Sequence, residues 1–436
     1  MICSSESLCI QECKLYSREV KFLQGMRAKL GIVLPVIILL EFLVLAFRVH
    51  GLHNSQLLVN VGDKIIHQAN PYIPMQPYGA SPGLIYWLIE KITFGTQSPF
   101  FFIGLNIAGI VLLINFMFPK ETPKLKAIIL SVLLLSSPIR ALVASVQHTG
   151  IIIGAILLGA HLLRKSDDSK RSALYLLAGC GFFVFALEIK PQIAIPFVAV
   201  WIIAERCFKL IPIILLQFFL INLAIDLWVG RFLEIDRLNV WKLMRGDALT
   251  ISEQSSLWKL LGHFTSSNID WFKISFCIYL LGFALLLLKA FKNPKPELLR
   301  WALLLPVTTA YLHLYDIVIL AIYIAFWTTS KFNRAGSFFL LGLVIIPTRF
   351  TSMSEVANGI AFLAAVAILL SFNRREISLK ELIYISGEVV IAILAVSIIS
   401  RLNMALEMRV SVQITVLMIL TSIFLINDVR NSLRTR

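Results

Sequence analysis

Residues 172–205 read SALYLLAGCGFFVFALEIKPQIAIPFVAVWIIAE, and this stretch decides the fold class. Two uncharged apolar runs flank a short polar interruption, Glu188-Ile189-Lys190-Pro191. Each run approaches the length that an α-helix needs to cross the hydrocarbon core of a bilayer. Proline is tolerated in the first turn of a helix but not in its interior, so Pro191 begins a second helix. The stretch therefore predicts two membrane-spanning helices joined by a polar turn.

The same alternation of apolar runs and short turns continues along the chain, in which 58% of the 436 residues are hydrophobic and only 15% are charged. It predicts an all-α polytopic transmembrane protein of about 12–14 spans, several of them short. The predicted spans are 31–48, 99–117, 126–143, 149–163, 172–187, 192–205, 208–228, 273–288, 301–313, 317–329, 335–347, 359–372, 382–399 and 410–427. A soluble core of this composition is disfavoured, and the alternating segments of an outer-membrane barrel are absent from the sequence.

The distribution of charge predicts the orientation of these spans. The net charge is +15, and about two thirds of the 40 Lys and Arg residues fall in loops on the same side as the N-terminus. Basic loops stay in the cytoplasm, so we expect a multi-pass protein of the cell membrane with a cytoplasmic N-terminus. The excess positive charge then meets anionic membrane lipids, and no nucleic-acid partner is expected.

The predicted spans divide the chain into three parts. Residues 1–29 form a cytoplasmic leader. Residues 30–330 form a transmembrane module that carries two long outer loops, 49–98 and 229–272. Residues 331–436 form a transmembrane scaffold whose outer loops carry little polar chemistry.

The first outer loop contains two segments of helical character, 54–68 and 83–94, separated by a proline-rich turn that can continue neither helix. Treating the second segment as a span would reverse every later basic loop. Helices that lie in the membrane interface fit better, with Tyr86 and Trp87 at the depth of the headgroups.

Most polar motifs outside the basic loops fall on the outer side of the membrane. A transport path would place such residues near the middle of the bilayer, so their placement favours a site at its surface. The motifs are Asn70-Pro71-Tyr72, Gln147-His148, Glu188-Ile189-Lys190-Pro191, Gln254 in the second outer loop, and His313-Leu314-Tyr315-Asp316.

Two charged residues on this side are candidates for chemistry. Asp63 is the only acidic residue between the first span and the proline-rich turn, and it could be a general base for an acceptor hydroxyl or a solvated helix residue. Lys190 precedes a proline that starts a helix, a position suited to holding a phosphate group. Lys190 could instead pair with Glu188 or extend its amine toward water.

Two further motifs allow both structural and binding roles. Arg140 lies about two turns before Gln147-His148, a pair that could contact a substrate or only join helices. His313 and Asp316 are three residues apart and could pair with each other, bind a sugar or contribute to a metal site. Metal is the least supported of these because no second pair of ligands is evident, so no cofactor is expected.

Taken in order, these landmarks resemble the family-87 glycosyltransferases, which are membrane enzymes of the GT-C type that use polyprenyl-phosphate sugars. The resemblance covers about residues 30–330. The motifs that carry it are Gln68-Ala69-Asn70-Pro71-Tyr72, Tyr78-Gly79-Ala80-Ser81-Pro82, Val146-Gln147, Glu188-Ile189-Lys190-Pro191, Glu253-Gln254-Ser255-Ser256-Leu257 and His313-Leu314-Tyr315-Asp316. The chain departs from the family pattern near Asn54 or Ser55, where the family has a leading Asp and this sequence has no carboxylate.

The resemblance implies a GT-C-like fold and transfer of a sugar (a hexose such as mannose, or a pentose) from a polyprenyl-phosphate donor to a lipid or glycan acceptor. Because the family's leading Asp is displaced here, either the loop is rearranged and Asp63 is the general base, or the chain is inactive or uses another acid. Lys190 and Arg140 are expected as ligands of the donor phosphate. Substrate contacts are expected from Asn70, Tyr72, Gln147, His148, Gln254, His313 and Asp316. A lipid-linked glycan flippase or other transporter, and a polysaccharide polymerase, are the alternative functions.

Overall fold

The structure is a computed structural model of the chain. It describes residues 54–72, 78–93, 98–144, 146–166, 172–247, 256–265, 270–295, 297–309, 314–330, 336–346, 355–372, 378–402 and 406–434. Within these ranges the regular secondary structure is entirely helical. The leader and the first predicted span, 31–48, lie outside the described residues.

The described helices fall into two groups along the chain. The first nine are α1 (Asn54–Ile66), α2 (Ala80–Ile92), α3 (Ser98–Met117), α4 (Pro123–Leu134), α5 (Ser137–Ala144), α6 (Thr149–Ser166), α7 (Ser172–Ile189), α8 (Pro191–Ala204) and α9 (Leu210–Val229). The others are α10 (Leu233–Asp247), α11 (Leu257–Phe264), α12 (Trp271–Lys292), α13 (Glu297–Leu304), α14 (Val318–Ser330), α15 (Ser337–Ile345), α16 (Glu355–Phe372), α17 (Leu379–Arg401) and α18 (Leu406–Arg434). Short 3-10 helices at Leu305–Thr308 and Leu314–Ile317 lie between α13 and α14.

Six of the described helices are long and apolar enough to cross a membrane, namely α3, α6, α7, α9, α12 and α17. A seventh span results if the bent pair α4 and α5 is counted as one, and shorter apolar stretches lie in α8, α14, α16 and α18. The predicted class, an all-helical polytopic membrane protein, is therefore confirmed. The larger count of about 12–14 spans includes the short helices and the span before α1, and it stays a prediction.

The predicted span 126–143 is not one straight helix. It breaks around Ser136, and its two parts, α4 and α5, are bent by 70°. The Ser136 hydroxyl donates to the Leu133 carbonyl at 2.6 Å, and Pro138 follows in the first turn of α5. A hydroxyl that bonds the preceding turn and a proline that lacks an N–H both favour a break here. The bend brings α5 into contact with the 3-10 helix Leu314–Ile317.

Helices α1 and α2 form a closely packed pair ahead of α3, where the sequence predicts two helical segments. A Cβ added to Gly62 would lie 2.3 Å from the Gly83 carbonyl oxygen, so these glycines allow the helices to touch. The prediction that the proline-rich turn stays outside both helices is wrong at one end, because α2 begins at Ala80 and includes Pro82 in its first turn. A proline there loses no helical hydrogen bond, since the first N–H groups have no partner within the helix.

Part of the main hydrophobic core lies between α3, α6, α7 and α8. A Cβ added to Gly109 of α3 would lie within 2 Å of the Gly150 carbonyl oxygen on α6, so the two backbones are in contact. Small residues permit such approaches between membrane helices. A second, smaller cluster joins α1 and α2 to α9 and α10. Its buried members are Val61, Ile65, Tyr72, Ala80, Ile225, Leu233 and Val240.

Glu388 of α17 shows how one buried charge is accommodated among the helices. Its two carboxylate oxygens accept hydrogen bonds from the backbone N–H groups of Gly336 and Phe338, at 2.5 and 3.0 Å. A carboxylate at a helix N-terminus satisfies N–H groups that have no partner within the helix, and it meets the positive end of the helix dipole. Glu388 therefore caps α15.

Candidate functional site

Lys190 and Asp316 form a buried ion pair where α7 meets α8. Lys190 Nζ and Asp316 Oδ1 are 2.5 Å apart, and the two side chains are only 6% and 5% exposed. The Thr149 hydroxyl donates to Asp316 Oδ1 at 2.7 Å and accepts from Lys190 Nζ at 2.9 Å. The three side chains thus form a closed triangle of polar groups, named here the lysine triangle.

Helix ends position the lysine triangle. The backbone of Lys190 is not helical (φ −137°, ψ 77°), because Pro191, the first residue of α8, disfavours a helical conformation at the preceding residue. Thr149 is the first residue of α6, and Asp316 lies in a short 3-10 helix. Of the alternatives that the sequence left open, pairing of Lys190 with Glu188 is wrong, because the ion pair is made with Asp316.

Gln147 and His148 lie in the turn directly before the threonine of the lysine triangle. The turn is strained, since Val146 has φ +43°. Asn106 of α3 donates to the Gln147 carbonyl at 2.6 Å, whereas Gln147 Oε1 is buried with no hydrogen-bond partner among the described residues. The fully buried His148 shares a 2.9 Å hydrogen bond between its Nδ1 and the Tyr86 hydroxyl. Burial raises the pKa of Tyr86 well above its ordinary value, so this hydroxyl stays protonated.

Glu188, in the last turn of α7, belongs to a second buried network. Its Oε2 accepts from the Ser81 hydroxyl at 2.7 Å and from the Ser81 N–H at 3.2 Å, and its Oε1 accepts from Asn222 at 2.9 Å. Its backbone carbonyl accepts from the Gly79 N–H at 3.0 Å and from the Arg237 guanidinium at 2.8 Å. Glu188 thus links α7 to the N-terminus of α2, to α9 and to α10, and this set is named here the glutamate network.

Sequence reasoning missed Ser81, Tyr86, Asn222 and Arg237 as members of these buried arrangements. Asn222 did offer a signal, because a polar side chain inside an apolar span usually bonds a neighbouring helix. Ser81 stands in one of the motifs that carry the family resemblance but was given no role of its own. Tyr86 offered no signal, since a tyrosine is ordinary in a helix at the membrane surface. Tyr86 is 1% exposed and stacks on Phe102 with 4.3 Å between ring centroids, so it packs inside the protein, and its expected position at headgroup depth stays a prediction.

Asn70 and Tyr72 connect the turn after α1 to α10. The Asn70 side chain accepts from the Tyr72 N–H at 3.0 Å and donates to Asp236 at 3.3 Å. Tyr72 is 3% exposed, and its hydroxyl has no hydrogen-bond partner among the described residues. Burial raises the pKa of Tyr72, an effect that the nearby Arg237 opposes. Asn70 therefore anchors α10, while the buried Tyr72 hydroxyl stays a candidate for contact with a substrate.

Asp63 lies on the exposed side of the α1–α2 pair. Its side chain is 50% exposed and accepts a 3.3 Å hydrogen bond from the Trp87 indole, and its backbone carbonyl is 2.8 Å from His67 Nδ1. Trp87 and Tyr86 are consecutive residues of α2, and consecutive helical side chains point about 100° apart. Tyr86 therefore reaches His148 while Trp87 reaches Asp63. No hydrogen bond among the described contacts joins Asp63 to the lysine triangle or the glutamate network.

The remaining predicted site residues fall elsewhere. Arg140 is 4% exposed in α5, and its Nη2 donates to the Ile345 carbonyl at 2.5 Å, at the C-terminus of α15. A cation in this position stabilises the negative end of a helix dipole, so this contact is structural. A role of Arg140 in phosphate binding stays a prediction. Gln254 and His313 lie outside the described residues.

An apolar groove of about 840 Å³ lies between α2, α3, α6, α7 and α9. On α3 its lining extends from Phe102 to Leu112, which corresponds to about 15 Å along the helix axis. Ser81 and Tyr86 also line the groove, and these are the side chains that bond Glu188 and His148. The groove therefore reaches the two side chains that bond Glu188 and His148, although these buried residues do not themselves line it.

Within the described ranges, no three His, Cys, Asp or Glu side chains lie together as the ligands of a metal ion would. Comparison with known proteins found no matching family, no similar curated protein and no similar solved structure. The likeness to the family-87 glycosyltransferases therefore rests on the motifs quoted above.

Proposed function

We propose that this protein is a membrane glycosyltransferase. It takes a sugar from a polyprenyl-phosphate donor and transfers it to a lipid or glycan acceptor at the outer face of the membrane. The observation that carries the proposal is the apolar groove, because its lining includes Ser81 and Tyr86, which bond Glu188 and His148. A lipid-linked donor needs such adjoining surfaces, one for the hydrocarbon chain and one for the phosphate and sugar.

The groove suits the hydrocarbon chain of the donor. Four of the five helices around it are long and apolar enough to cross the membrane, so a chain can enter it directly from the bilayer. Lipid tails are as apolar as the groove, and binding there releases little hydrophobic free energy. The groove therefore aligns the carrier, while affinity and selectivity come from the polar end.

Lys190 holds the donor phosphate in this proposal. Its amine is now shared between Asp316 and Thr149, and a phosphate oxygen would replace part of that pairing. An ammonium group can donate three hydrogen bonds, so exchange of one partner leaves the others in place. A charge-assisted contact of this kind contributes about 1.5–3 kcal/mol.

Asp63 acts as the general base. Its half-exposed carboxylate can meet an acceptor hydroxyl, whereas those of Glu188 and Asp316 are engaged by buried donors. As the hydroxyl proton passes to Asp63, the acceptor oxygen forms a bond to the anomeric carbon. The bond from that carbon to the phosphate oxygen breaks, and the lipid phosphate leaves with the electron pair. A single displacement of this kind inverts the anomeric configuration.

Transport of a lipid-linked glycan is a second candidate, favoured by the buried Lys190–Asp316 pair. Charged pairs near the middle of the bilayer are typical of transport paths. Lys190, however, follows the last residue of α7, and Asp316 lies in a 3-10 helix outside the long spans. The placement of the pair at helix ends favours chemistry at a membrane surface.

The test is transfer by the purified protein in liposomes, using a panel of polyprenyl-phosphate hexoses and pentoses with a membrane lipid extract as acceptor. Lys190→Arg should raise the donor KM about tenfold and Lys190→Ala up to about a hundredfold, with a smaller change in kcat. Lys292→Ala, at an exposed end of α12, is the matched control and should leave transfer unchanged. Absence of transfer from every donor by folded protein, or movement of labelled lipid between leaflets instead, would contradict the proposal.

The predicted orientation needs its own test. Cysteines introduced as Gln76→Cys and Thr122→Cys should react with a membrane-impermeant maleimide from opposite sides, with position 76 labelled in intact cells. Labelling of both from one side would place the proposed site on the wrong face.

A further inference from the structure

A second cavity lies at the end of α6 that is opposite Thr149. It has a volume of about 570 Å³, and its polar lining residues are Arg164, Ser166, Ser172, Glu205, Cys207 and Lys209. Helix α6 has 18 residues, so its two ends are about 27 Å apart, which is close to the thickness of the hydrocarbon core. The cavity therefore belongs to the membrane surface opposite the lysine triangle.

An apolar cavity of about 280 Å³ adjoins the polar one. Arg164 and Trp201 line both, so the two cavities share a wall. Apart from His161 and Arg164, the lining side chains of the smaller cavity are aliphatic or aromatic, and they include Leu112 and Leu158. A polar chamber with an apolar annex is the arrangement that the headgroup and one chain of a lipid require.

Trp201 indicates that the polar chamber receives a ligand with acceptor oxygens. Its side chain is 1% exposed and packs edge-on against Phe183, with 5.5 Å between ring centroids. Its indole N–H has no hydrogen-bond partner among the described residues. A buried donor without an acceptor destabilises a structure. Trp201 lines both cavities, so a small shift of its ring would let a phosphate or ester oxygen of a bound ligand accept from this N–H.

The net charge of the chamber wall determines whether an anionic or a cationic ligand is favoured. Arg164 is bonded to Glu205, with 3.0 Å between Arg164 Nε and Glu205 Oε1. Lys209 is exposed and makes no ion pair among the described residues. Two cations against one carboxylate leave a net positive wall, which favours an anionic group.

We propose that these two cavities bind one anionic phospholipid from the leaflet opposite the lysine triangle. Its phosphate lies among Arg164, Lys209 and the Trp201 N–H, and one acyl chain enters the apolar annex. A zwitterionic lipid is disfavoured because its headgroup would bring a cation against this positive wall. Free phosphate is disfavoured because it has no acyl chain to fill the apolar annex. The annex shares Leu112 and Leu158 with the apolar groove, but the phosphate site lies at the opposite end of α6 from the lysine triangle. The proposal does not depend on sugar transfer.

The test is a titration of the detergent-purified full chain with dioleoyl phosphatidylglycerol, followed by native mass spectrometry. One lipid should bind at least about tenfold more tightly than dioleoyl phosphatidylcholine. Lys209→Gln and Trp201→Phe should each weaken that binding about five- to tenfold. Lys292→Gln, which alters another exposed lysine near a helix C-terminus, should leave it unchanged.

Three outcomes would overturn the proposal. Equal affinity for the anionic and zwitterionic lipids would show that charge does not select the ligand. Displacement of the lipid by inorganic phosphate at millimolar concentration would identify a free-anion site instead. An equal loss in Lys292→Gln would indicate general surface charge. Because Lys209 is exposed, its variant should fold even if Trp201→Phe does not.

Discussion

Replacement of Lys190 by methionine should destabilise the protein by about 3–5 kcal/mol, the usual cost of removing one partner of a buried ion pair. The substitution retains an unbranched side chain but removes the charge that faces Asp316. Because the Asp316 side chain is 5% exposed, water cannot replace the lost amine. The Thr149 hydroxyl, 2.7 Å from Asp316 Oδ1, already donates in the wild type, so this hydrogen bond does not offset the lost ion pair.

The double variant Lys190→Met/Asp316→Leu should recover most of this loss, since replacing both members of a buried pair with apolar residues is often neutral. The assay is the free energy of unfolding in mixed micelles, measured by SDS titration and circular dichroism. With the single variant Asp316→Leu, the four proteins form a double-mutant cycle. We expect a coupling free energy of about 2 kcal/mol or more.

Two results would refute this reasoning. A loss below about 1 kcal/mol for Lys190→Met would mean that the pair is solvated rather than buried. Additive losses in the double variant would mean that the two side chains do not interact. Lys292→Met, at an exposed position of α12, is the matched control and should stay within about 0.5 kcal/mol of the wild type.

The remaining predictions concern the proposed base, the helix pair and the capped helix. Asp63→Asn should lower turnover by about 10²–10⁴-fold without changing donor binding, whereas Asn54→Ala should leave turnover unchanged. The reverse result would place the catalytic centre near the start of α1. Gly62→Leu should lower the thermal midpoint, because its Cβ would lie 2.3 Å from an opposing backbone oxygen, whereas Gly104→Leu, with open space around it, should not. Glu388→Ala should cost about 1–3 kcal/mol in the free energy of unfolding, because the N–H groups of Gly336 and Phe338 at the start of α15 would lose their acceptors. A smaller loss would show that the cap is dispensable.

Local patterns predicted the helices well wherever single residues act strongly on the backbone. The span expected at 99–117 is the helix Ser98–Met117, and the break expected at Pro191 separates α7 from α8. The 70° bend around Ser136 was missed because apolar composition reports the length of a span and not its straightness. Hydrophobicity predicts which segments are buried in the membrane, while short-range hydrogen bonds determine where a helix breaks or bends.

The partners of the polar residues were harder to predict. Residues two apart on a helix do not face each other, and this could have argued against a pair between Glu188 and Lys190. The choice of Asp316, however, depends on how α5, α6 and α14 pack, which no short motif encodes. The same holds for Arg140, whose acceptor at Ile345 is 205 residues away in the sequence. The order of the spans indicates which motifs share one side of the membrane, but the packing of the helices decides which of them make contact.

The short interval between Glu188 and Pro191 has a consequence for how this sequence can change over generations. The glutamate network is held by the last turn of α7, and the lysine triangle by the single residue that follows that helix. One inserted or deleted residue would turn one of these side chains by about 100° and shift it by about 1.5 Å. Natural variants should therefore accept replacements within α8 far more readily than any change of length here. We therefore expect the length of this segment to be as constrained as the identities of Glu188 and Lys190.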